Sequence, residues 1–386
     1  MTIELTRSDF DKAINYTMGA VGKSGIPVIN GIAMSANGKA TFTSSDLDTY
    51  LTAEVDYEGE ASDGFVILAP GKVRDAVREG GGDTVTFGPS KDTRFPVSTG
   101  ALTINGRSLP IDDMPTNRLT DTLFQAELGS SFFDALARVK GAISTEETRY
   151  YLNGVYMHKV GDWQYRLVTT DGHRLYIADV PLPDAQGEWT SAIIPRRAVA
   201  LAIQHFSKSQ EPVKLTFGRP AKSNKPSLDL ASTDGATHFA LDCQRARIRQ
   251  RLTSKTIDGT YPDYTRVVPT ANDKVAVFAS AELERAVRSV GSLGGKKTRA
   301  VKIAFGDHQA LLSVMSPENG DATITIDCRF DSRPFEIGFN AAYLLDAIAA
   351  CGGEEIRLTL ADASAPTLIE NPADTAFRAI LMPMRV

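Results

Sequence analysis

An internal repeat constrains the fold of this chain more than any other feature of its 386-residue sequence. The same spacing separates independent pairs of landmarks: 125 residues from Asp46 to Asp171 and from Pro70 to Pro195, and 145 residues from Gly161 to Gly306 and from Pro195 to Asn340. Because two landmarks agree in each comparison, we interpret the chain as three copies of one unit. The predicted domains are residues 1–121, 122–272 and 273–386.

Each copy begins with an amphipathic helix pattern, in which apolar residues recur near the 3.6-residue period of an α-helix. These residues are Phe10, Ile14 and Met18, then Phe132, Phe133 and Leu136, then Leu283, Val287 and Val290, and the predicted N-caps are Ser8, Ser130 and Ser280. Alternating strands follow, with a hairpin signal at Asn37-Gly38 in the first copy. A second helix pattern begins at a strand end in segments 67–77, 193–203 and 337–348. Two helices against six to eight strands per copy predict an α+β fold with largely antiparallel sheets.

The composition excludes several classes of protein. The three cysteines, Cys243, Cys328 and Cys351, are far apart and form no CxxC motif, so we expect neither a disulfide framework nor a metal site or cofactor. The N-terminus lacks an apolar run, and no segment approaches the ~18 apolar residues of a spanning helix, which favours a cytoplasmic protein over a membrane or secreted one. A formal charge of −5 argues at first against a nucleic-acid partner. Many of the cations fall on the predicted helices, however, so the total charge does not decide the question.

Six segments resemble, in order, the bacterial DNA polymerase III β subunit, the sliding clamp family. They are RYYLNG (149–154), TTDGHRLYIADVPLP (169–183), IIPRRAV (193–199), IDGTYPDYTRVVP (257–269), IGFNAAYLLDAI (337–348) and ILMPMRV (380–386). The resemblance implies three tandem clamp domains per chain and a head-to-tail homodimeric ring around double-stranded DNA. Helices would line the hole and antiparallel sheets would form the outside. It also implies contact between domain 1 and domain 3 of the partner, for which Leu102, Ile104 and Leu293 are candidates unless they are ordinary core residues.

The resemblance further implies a cleft in domains 2 and 3 that binds short peptides of the polymerase catalytic subunit, the clamp loader and repair proteins. The matching positions are Arg149, Leu152, Thr170, Gly172, His173, Arg174, Leu175, Pro262, Arg266, Val267, Asn340, Tyr343, Ile380, Leu381, Met382, Pro383, Met384 and Arg385. Leucine, valine and methionine suit an adaptable apolar pocket, and arginines at its rim suit acidic or carbonyl groups of a peptide. The alternative is that these segments are only turns and edge strands. Ala365 and Pro366 stand where the family often has small hydroxyl residues, so the peptide preference stays open.

The DNA-facing surface is the second implied site. Its candidates are Lys12, Lys23, Lys72, Arg74 and Arg78, then Arg138, Lys140, Tyr150, Tyr151, Arg196 and Arg197, then Arg285 and Arg288 with Lys296, Lys297 and Arg299. For any one lysine, a solvated helix face is the alternative. Weak contacts that do not depend on base sequence would let a closed ring slide, and encirclement would retain it on DNA.

Two other functions compete with this prediction. Asp171 and His173 could serve acid–base chemistry in a hydrolase, with Ser44 or Ser316 as nucleophile, but Asp-Gly is typical of a turn and no HExxH, GxSxG or phosphate-loop motif is present. We therefore expect a non-catalytic processivity factor. A clamp relative encoded by a phage or plasmid, serving repair or a secondary polymerase, is the closer alternative.

Overall fold

The computed structural model describes residues 2–117, 119–188, 191–220, 236–293, 300–317 and 319–385. The chain forms two compact units, Met1–Phe133 with Leu182–Ile257, and Asp134–Pro181 with Asp258–Val386. Within the described ranges, no helix combines the length and apolar character that a membrane crossing requires.

The described residues contain six α-helices, two in each predicted copy, as the repeat predicts. They are α1 (Arg7–Thr17), α2 (Pro70–Glu79), α3 (Ser130–Val139), α4 (Arg196–Phe206), α5 (Ser280–Gly291) and α6 (Ala341–Cys351). The predicted caps Ser8 and Ser280 were wrong. Thr6 caps α1 by accepting the backbone N–H of Asp9 at 3.1 Å, and Ala279 precedes α5 without a side-chain cap. The helices begin earlier than the apolar period suggests because a strand leads directly into α1 and into α5.

The strands account for most of the remaining described chain. The first part contains β1 (Ile3–Thr6), β2 (Gly31–Asn37), β3 (Lys39–Ser45), β4 (Thr49–Val55), β5 (Glu58–Gly59), β6 (Ser62–Leu68), β7 (Thr84–Phe87), β8 (Arg94–Thr99) and β9 (Leu102–Pro110). The middle part contains β10 (Leu119–Leu128), β11 (Gly154–Lys159), β12 (Gln164–Thr170), β13 (Arg174–Pro181), β14 (Gln186–Gly187), β15 (Ser191–Pro195), β16 (Val213–Pro220), β17 (His238–Arg245) and β18 (Ile248–Lys255). The last part contains β19 (Lys274–Ala279), β20 (Ala300–Phe305), β21 (Gln309–Ser316), β22 (Gly320–Asp327), β23 (Arg329–Phe330), β24 (Phe335–Asn340), β25 (Glu355–Leu360), β26 (Thr367–Asn371) and β27 (Asp374–Leu381).

The sheets are antiparallel throughout their described pairings. One sheet in the first unit has fourteen strands in the order β14-β10-β16-β17-β18-β4-β3-β2-β6-β9-β8-β7-β1-β5. In the second unit, one sheet includes the run β11-β12-β13-β27-β26-β25-β19-β23, and a second sheet has the order β22-β21-β20-β24. The predicted hairpin at Asn37-Gly38 is present between β2 and β3, where Gly38 has a φ of 73°. Because β10 precedes α3 as β1 precedes α1, the predicted boundary at 121/122 cuts through a strand of the second copy.

Neighbouring copies join by the same strand pairing. The third strand after the first helix of one copy pairs with the last strand of the next copy, as β4 pairs with β18 and β13 with β27. In the third copy the corresponding strand is β22, which forms an edge of its described sheet. The last strand of the first copy is β9, which pairs with β8 along 102–107 and with β6 only at 108–110. Within the described residues, β22 and the first part of β9 therefore each keep one edge unpaired.

Candidate functional site

A largely apolar cavity of about 290 Å³ lies in the second unit, at the ends of β12, β13 and β27. Ten of the eighteen predicted cleft residues line it: Arg149, Leu152, Thr170, Gly172, Arg174, Leu175, Pro262, Val267, Ile380 and Met382. Three further lining residues, Tyr151, Asp263 and Tyr264, were not predicted as cleft residues, and Tyr151 had been predicted to face DNA. The cavity has the apolar lining with a few polar groups that is typical of small binding sites.

The turn between β12 and β13 forms one side of the cavity, and Asp171 fixes its shape. One carboxylate oxygen of Asp171 accepts the backbone N–H groups of His173 and Arg174 at 3.0 and 3.1 Å. Gly172 has a φ of 89°, a conformation that favours glycine. A Cβ atom at this position would lie 2.7 Å from Nη1 of Arg149, so glycine also leaves room for that guanidinium.

Arg174 is held in place by the protein itself. Its Nε donates to the second oxygen of Asp171 at 3.0 Å, and its Nη1 donates to Asp346 at 2.6 Å. The guanidinium also lies 4.3 Å from the centre of the Tyr343 ring. Burial by itself would lower the pKa of Arg174, but the hydrogen bond to Asp346 and the charge of Asp171 leave it raised. Arg174 therefore stays charged and shapes the cleft.

The carboxyl end of β27 forms a second side of the cavity. Ile380 and Met382 line it, and the backbone N–H of Met382 donates to the carbonyl of His173 at 2.9 Å. Side chains alternate across a strand, so Leu381 points to the opposite face and is buried, with 1% of its surface exposed. Leu381 therefore does not line this cavity. Beyond the strand, the N–H of Met384 donates to the carbonyl of Gly338 at 2.7 Å, which fastens the tail to β24.

A polar cavity of about 270 Å³ lies beside the first one. Three predicted cleft residues line it: Arg174, which lines both cavities, and His173 and Tyr343, whose rings stack with centres 6.1 Å apart. Asn340 instead caps α6 by accepting the N–H groups of Ala342 and Tyr343. The remaining predicted cleft residues, Arg266, Pro383, Met384 and Arg385, line neither cavity, and the same holds for Ala365 and Pro366.

The geometry does not assemble the alternative hydrolase site. Asp171 uses both carboxylate oxygens for the turn and for Arg174, and the ring of His173 stacks on Tyr343. An acid–base pair requires hydrogen-bond reach between its members or to a substrate proton. Asp171 is therefore a structural residue of the turn.

Most predicted DNA-facing cations have protein partners. Arg138 donates to the carbonyls of Ala350 and Cys351 and to Asp374 at 2.6–3.0 Å, so it caps the carboxyl end of α6. The acidic partners of the others are Asp9 for Lys12, Asp75 for Arg74, Asp11 for Arg78, Asp46 for Arg197, Glu282 for Arg285 and Glu284 for Arg288.

Four predicted cations, Lys23, Lys72, Lys140 and Arg196, are exposed and have no ion pair within the part of the chain that the structure describes. Tyr150 is 53% exposed. Lys296, Lys297 and Arg299 lie outside the described residues. Seven of the eleven described cations are therefore balanced by acidic residues, five of which lie on the same or a neighbouring helix, whereas Asp46 and Asp374 do not, and the sequence reasoning did not count these partners.

The candidate interface residues lie near the two unpaired strand edges of their units. Leu102 and Ile104 are half-buried on β9, and Leu293 is half-buried just after α5. Arg94 and Arg107 are exposed and directly opposite each other on β8 and β9. Asp321 and Asp327 are exposed on β22. The β9 edge is thus basic and the β22 edge acidic.

Comparisons with known proteins give a consistent result. Family models described as the central and the C-terminal domain of the DNA polymerase III beta subunit match residues 128–263 and 265–385. The Beta sliding clamps of Caulobacter vibrioides and Vibrio cholerae are 31% and 27% identical to this chain, over all of both chains.

Solved structures of high similarity include two sliding clamps. They are that of Bartonella birtlesii bound to griselimycin and Caulobacter crescentus pol III beta, each with 30% identity, a TM-score of 0.87 and full coverage of both chains. These similarities confirm the fold class predicted from the repeat. The domain boundaries remain a prediction.

Proposed function

Because this chain belongs to the beta sliding clamp family, we propose that it encircles duplex DNA as a ring and tethers a replicative polymerase through its apolar cleft. It is a non-catalytic processivity factor. The polymerase gains a high effective concentration at the primer end, and the ring supplies retention without base recognition. The geometry that supports this proposal is the repeated strand pairing between copies, which leaves one pairing to be completed by a second chain.

Ring closure follows from that repetition. The pairings of β4 with β18 and of β13 with β27 join copy one to copy two and copy two to copy three. The same rule pairs β22 of one chain with β9 of another. This contact is head-to-tail, so it continues until the assembly closes, and closure pairs both of these edges. Two chains supply six copies, the number that the family implies.

The two edges have complementary chemistry. Arg107 on β9, with Arg94 opposite it on β8, and Asp321 and Asp327 on β22 place opposite charges at the two edges that would pair. Leu102 and Ile104 would contribute apolar area next to Leu293 of the partner chain. Charged rims of this kind favour the correct partner and register more than they add affinity.

The helix surface suits sliding better than tight binding. By sequence, α4 has two more basic than acidic residues and α2 has one more, whereas α1, α3 and α5 are balanced and α6 has one excess acid. Each neutralised phosphate steepens the salt dependence of binding by roughly 0.9 in log–log slope. With few unpaired cations, such as Lys72 and Arg196, the contacts with DNA are weak, and an encircling ring remains mobile.

The apolar cavity is the docking site in this proposal. Leu175, Val267, Ile380 and Met382 supply apolar contacts for peptide anchors, and Met382 is 38% exposed at the mouth. The partners would be peptides of the polymerase, the clamp loader and repair proteins, in the cytoplasm, where the three buried thiols stay reduced.

Loading onto DNA tests the ring. The chain is loaded onto nicked circular plasmid by a bacterial clamp loader with ATP, isolated on the DNA by gel filtration, and then treated with a restriction enzyme. We expect retention on the circle and release on linearisation. Protein that stays on linear DNA, or that never loads, contradicts the proposal.

A matched pair of variants tests the closing contact. Ile104→Asp introduces a charge at the β9 edge and is expected to yield monomers by light scattering and to lose retention. Leu311→Asp changes a residue that is 42% exposed on β21, which is not an edge strand, and should leave the dimer intact. Equal behaviour of the two variants would argue against the proposed pairing.

A further inference from the structure

A row of polar side chains crosses the sheet of the second unit and contacts Tyr264, a residue that lines the apolar cavity. The strand register places His158 on β11 opposite Arg166 on β12, and Arg166 opposite Asp179 on β13. Partners in an antiparallel pair project from the same face, so this row shares its face with Leu175 and Ile380, which line the cavity. The row and these two wall residues therefore lie on one face of the sheet.

Asp179 joins two strands through one carboxylate. Arg166 donates to its two oxygens at 2.5 and 2.9 Å, and Arg378 donates to the second oxygen at 2.9 Å. Arg378 lies on β27, two residues before Ile380 and four before Met382. We refer to residues 378–382, the end of β27 and the residue after it, as the strand wall. The shared carboxylate thus fixes the strand wall against β12.

The same row also reaches the opposite wall. Segment 261–267, here the loop wall, contributes Pro262, Asp263, Tyr264 and Val267 to the cavity. The Tyr264 hydroxyl lies 2.9 Å from Nε2 of His158 and accepts a longer bond, at 3.4 Å, from Nη1 of Arg166.

The ring of Tyr261, at the start of the loop wall, stacks on Tyr156 with centres 4.7 Å apart and planes within 4°. The loop wall is therefore anchored to β11 and β12 rather than held by its own backbone alone.

We propose that His158, Arg166, Asp179 and Arg378 are positioning residues that hold the loop wall and the strand wall at the separation a peptide requires. None of the four lines the cavity. His158 and Arg166 contact Tyr264 of the loop wall, and Arg378 belongs to the strand wall. Arg166 and Arg378 both donate to Asp179, which links the two sides. This inference rests on the proposed peptide-binding function of the cleft.

The row also makes the loop wall sensitive to pH. With its proton on Nδ1, His158 donates to the carbonyl of Lys159 at 3.2 Å and accepts from Tyr264 through Nε2. The groups that face the imidazole are the Tyr156 ring, Tyr264, Arg166 and Asp179. Burial, and to a smaller extent the charge of Arg166, lower the pKa of His158 below 6.5, so the neutral form prevails at pH 7. Protonation turns Nε2 into a donor and removes its acceptor site for the Tyr264 hydroxyl.

Asp179→Asn tests the shared carboxylate, and Asp242→Asn is its matched control. Asp242 also accepts from two arginines, Arg249 and Arg251, on a sheet of the first unit. Affinity is measured by fluorescence anisotropy with a fluorescein-labelled hexapeptide ending in Leu-Phe, and the folded fraction is checked by circular dichroism. We expect Asp179→Asn to weaken binding by about 5-fold or more and Asp242→Asn by less than about 2-fold. Equal effects of the two variants overturn the inference.

Tyr264→Phe provides a second test, since it removes only the hydroxyl and keeps the ring in the cavity. The wild-type affinity should fall between pH 6.5 and 5 more steeply than that of Tyr264→Phe, whereas a merely structural tyrosine would leave the profile unchanged. If Asp179→Asn does not fold, parallel profiles still refute the inference. If the wild type binds no peptide, the proposed function itself fails.

Discussion

Gly172→Ala replaces one hydrogen atom of the glycine by a methyl group and tests whether peptide binding in the cleft depends on the space at this position. The substitution adds a Cβ atom 2.7 Å from Nη1 of Arg149, at a backbone φ of 89°. Two costs follow: backbone strain in the turn, and displacement of the Arg149 guanidinium. Gly38→Ala separates them, because Gly38 has a φ of 73° and a Cβ there meets nothing within 4 Å.

The strain is about 1–2 kcal/mol at either glycine. The chain tolerates such strain, since Leu47, which the 125-residue repeat aligns with Gly172, has a φ of 84°. The second cost arises only at Gly172. Relief of the clash moves Arg149 away from the carbonyl of Asp171, 3.2 Å from Nη2, and disturbs its bond to Glu146 at 2.8 Å. The loss of one such charged contact corresponds to roughly 1 kcal/mol, or about 5-fold in peptide affinity.

The assay compares both variants in urea unfolding and in peptide binding by anisotropy. We expect Gly172→Ala to lose roughly 1 kcal/mol more unfolding free energy than Gly38→Ala, because only Gly172→Ala disturbs the contacts of Arg149, and we expect weaker peptide binding only in Gly172→Ala. If both variants bind as the wild type does, Arg149 does not shape the cleft. If both weaken equally, the effect comes from stability and the reasoning about the clash is refuted.

Two further predictions concern stability. Arg138→Ala removes the donors that cap α6 at Ala350 and Cys351 and should lower the free energy of unfolding by about 2 kcal/mol in urea titration. Arg288→Ala removes one partner of an exposed ion pair on α5 and should change it by less than about 0.5 kcal/mol. Equal losses in the two variants would contradict the capping role. Burial lowers the pKa of His205 from 6.5 to about 4, so the unfolded chain binds the proton more readily between these values. The contribution of His205 to the free energy of unfolding should therefore be fully present above pH 6.5 and should fall by at most about 3 kcal/mol as the pH drops to 4. His205→Gln should reduce the difference in unfolding free energy between guanidinium titrations at pH 7 and pH 5.

Periodicity and spacing predicted the helices and hairpins because each copy repeats the same alternation of apolar residues. The beginnings of helices were less predictable. Thr6 caps α1 only because β1 leads directly into the helix, and sequence shows three plausible hydroxyl and acidic residues at 6–9 without showing where the strand ends. Backbone geometry, rather than residue type, decides which of them becomes the cap.

The site was predictable where residues are near in sequence and less so where strands bring distant residues together. Strand alternation places the side chain of Leu381, a predicted cleft residue, on the face opposite that of Ile380 and Met382. Arg138 was predicted to face DNA, and the sequence could not show its ion pair with Asp374 because the two residues are 236 positions apart. Asp263 and Tyr264 stand within a matched segment, 257–269, so proximity to Pro262 was the signal that could have found them.

The repeat also explains how one scaffold supports a cleft at one junction and a charged seam at another. In both turns an aspartate oxygen accepts two backbone N–H groups, Asp46 in the first copy and Asp171 in the second. The next copy then donates one backbone hydrogen bond to each turn, from the N–H of Lys255 to the carbonyl of Asp48 at 3.0 Å and from the N–H of Met382 to the carbonyl of His173 at 2.9 Å.

The backbone arrangement is the same at the two junctions, but the side chains differ. The Lys255 ammonium pairs with the Asp48 carboxylate at 2.8 Å, whereas Met382 lines an apolar cavity. An apolar peptide anchor would have to remove water from that exposed ion pair at the first junction, but only from a thioether at the second. Removing water from charged groups costs far more free energy than burying a methionine. The side chain at the end of the joining strand therefore selects which junction binds a peptide, although the fold offers the same turn at both.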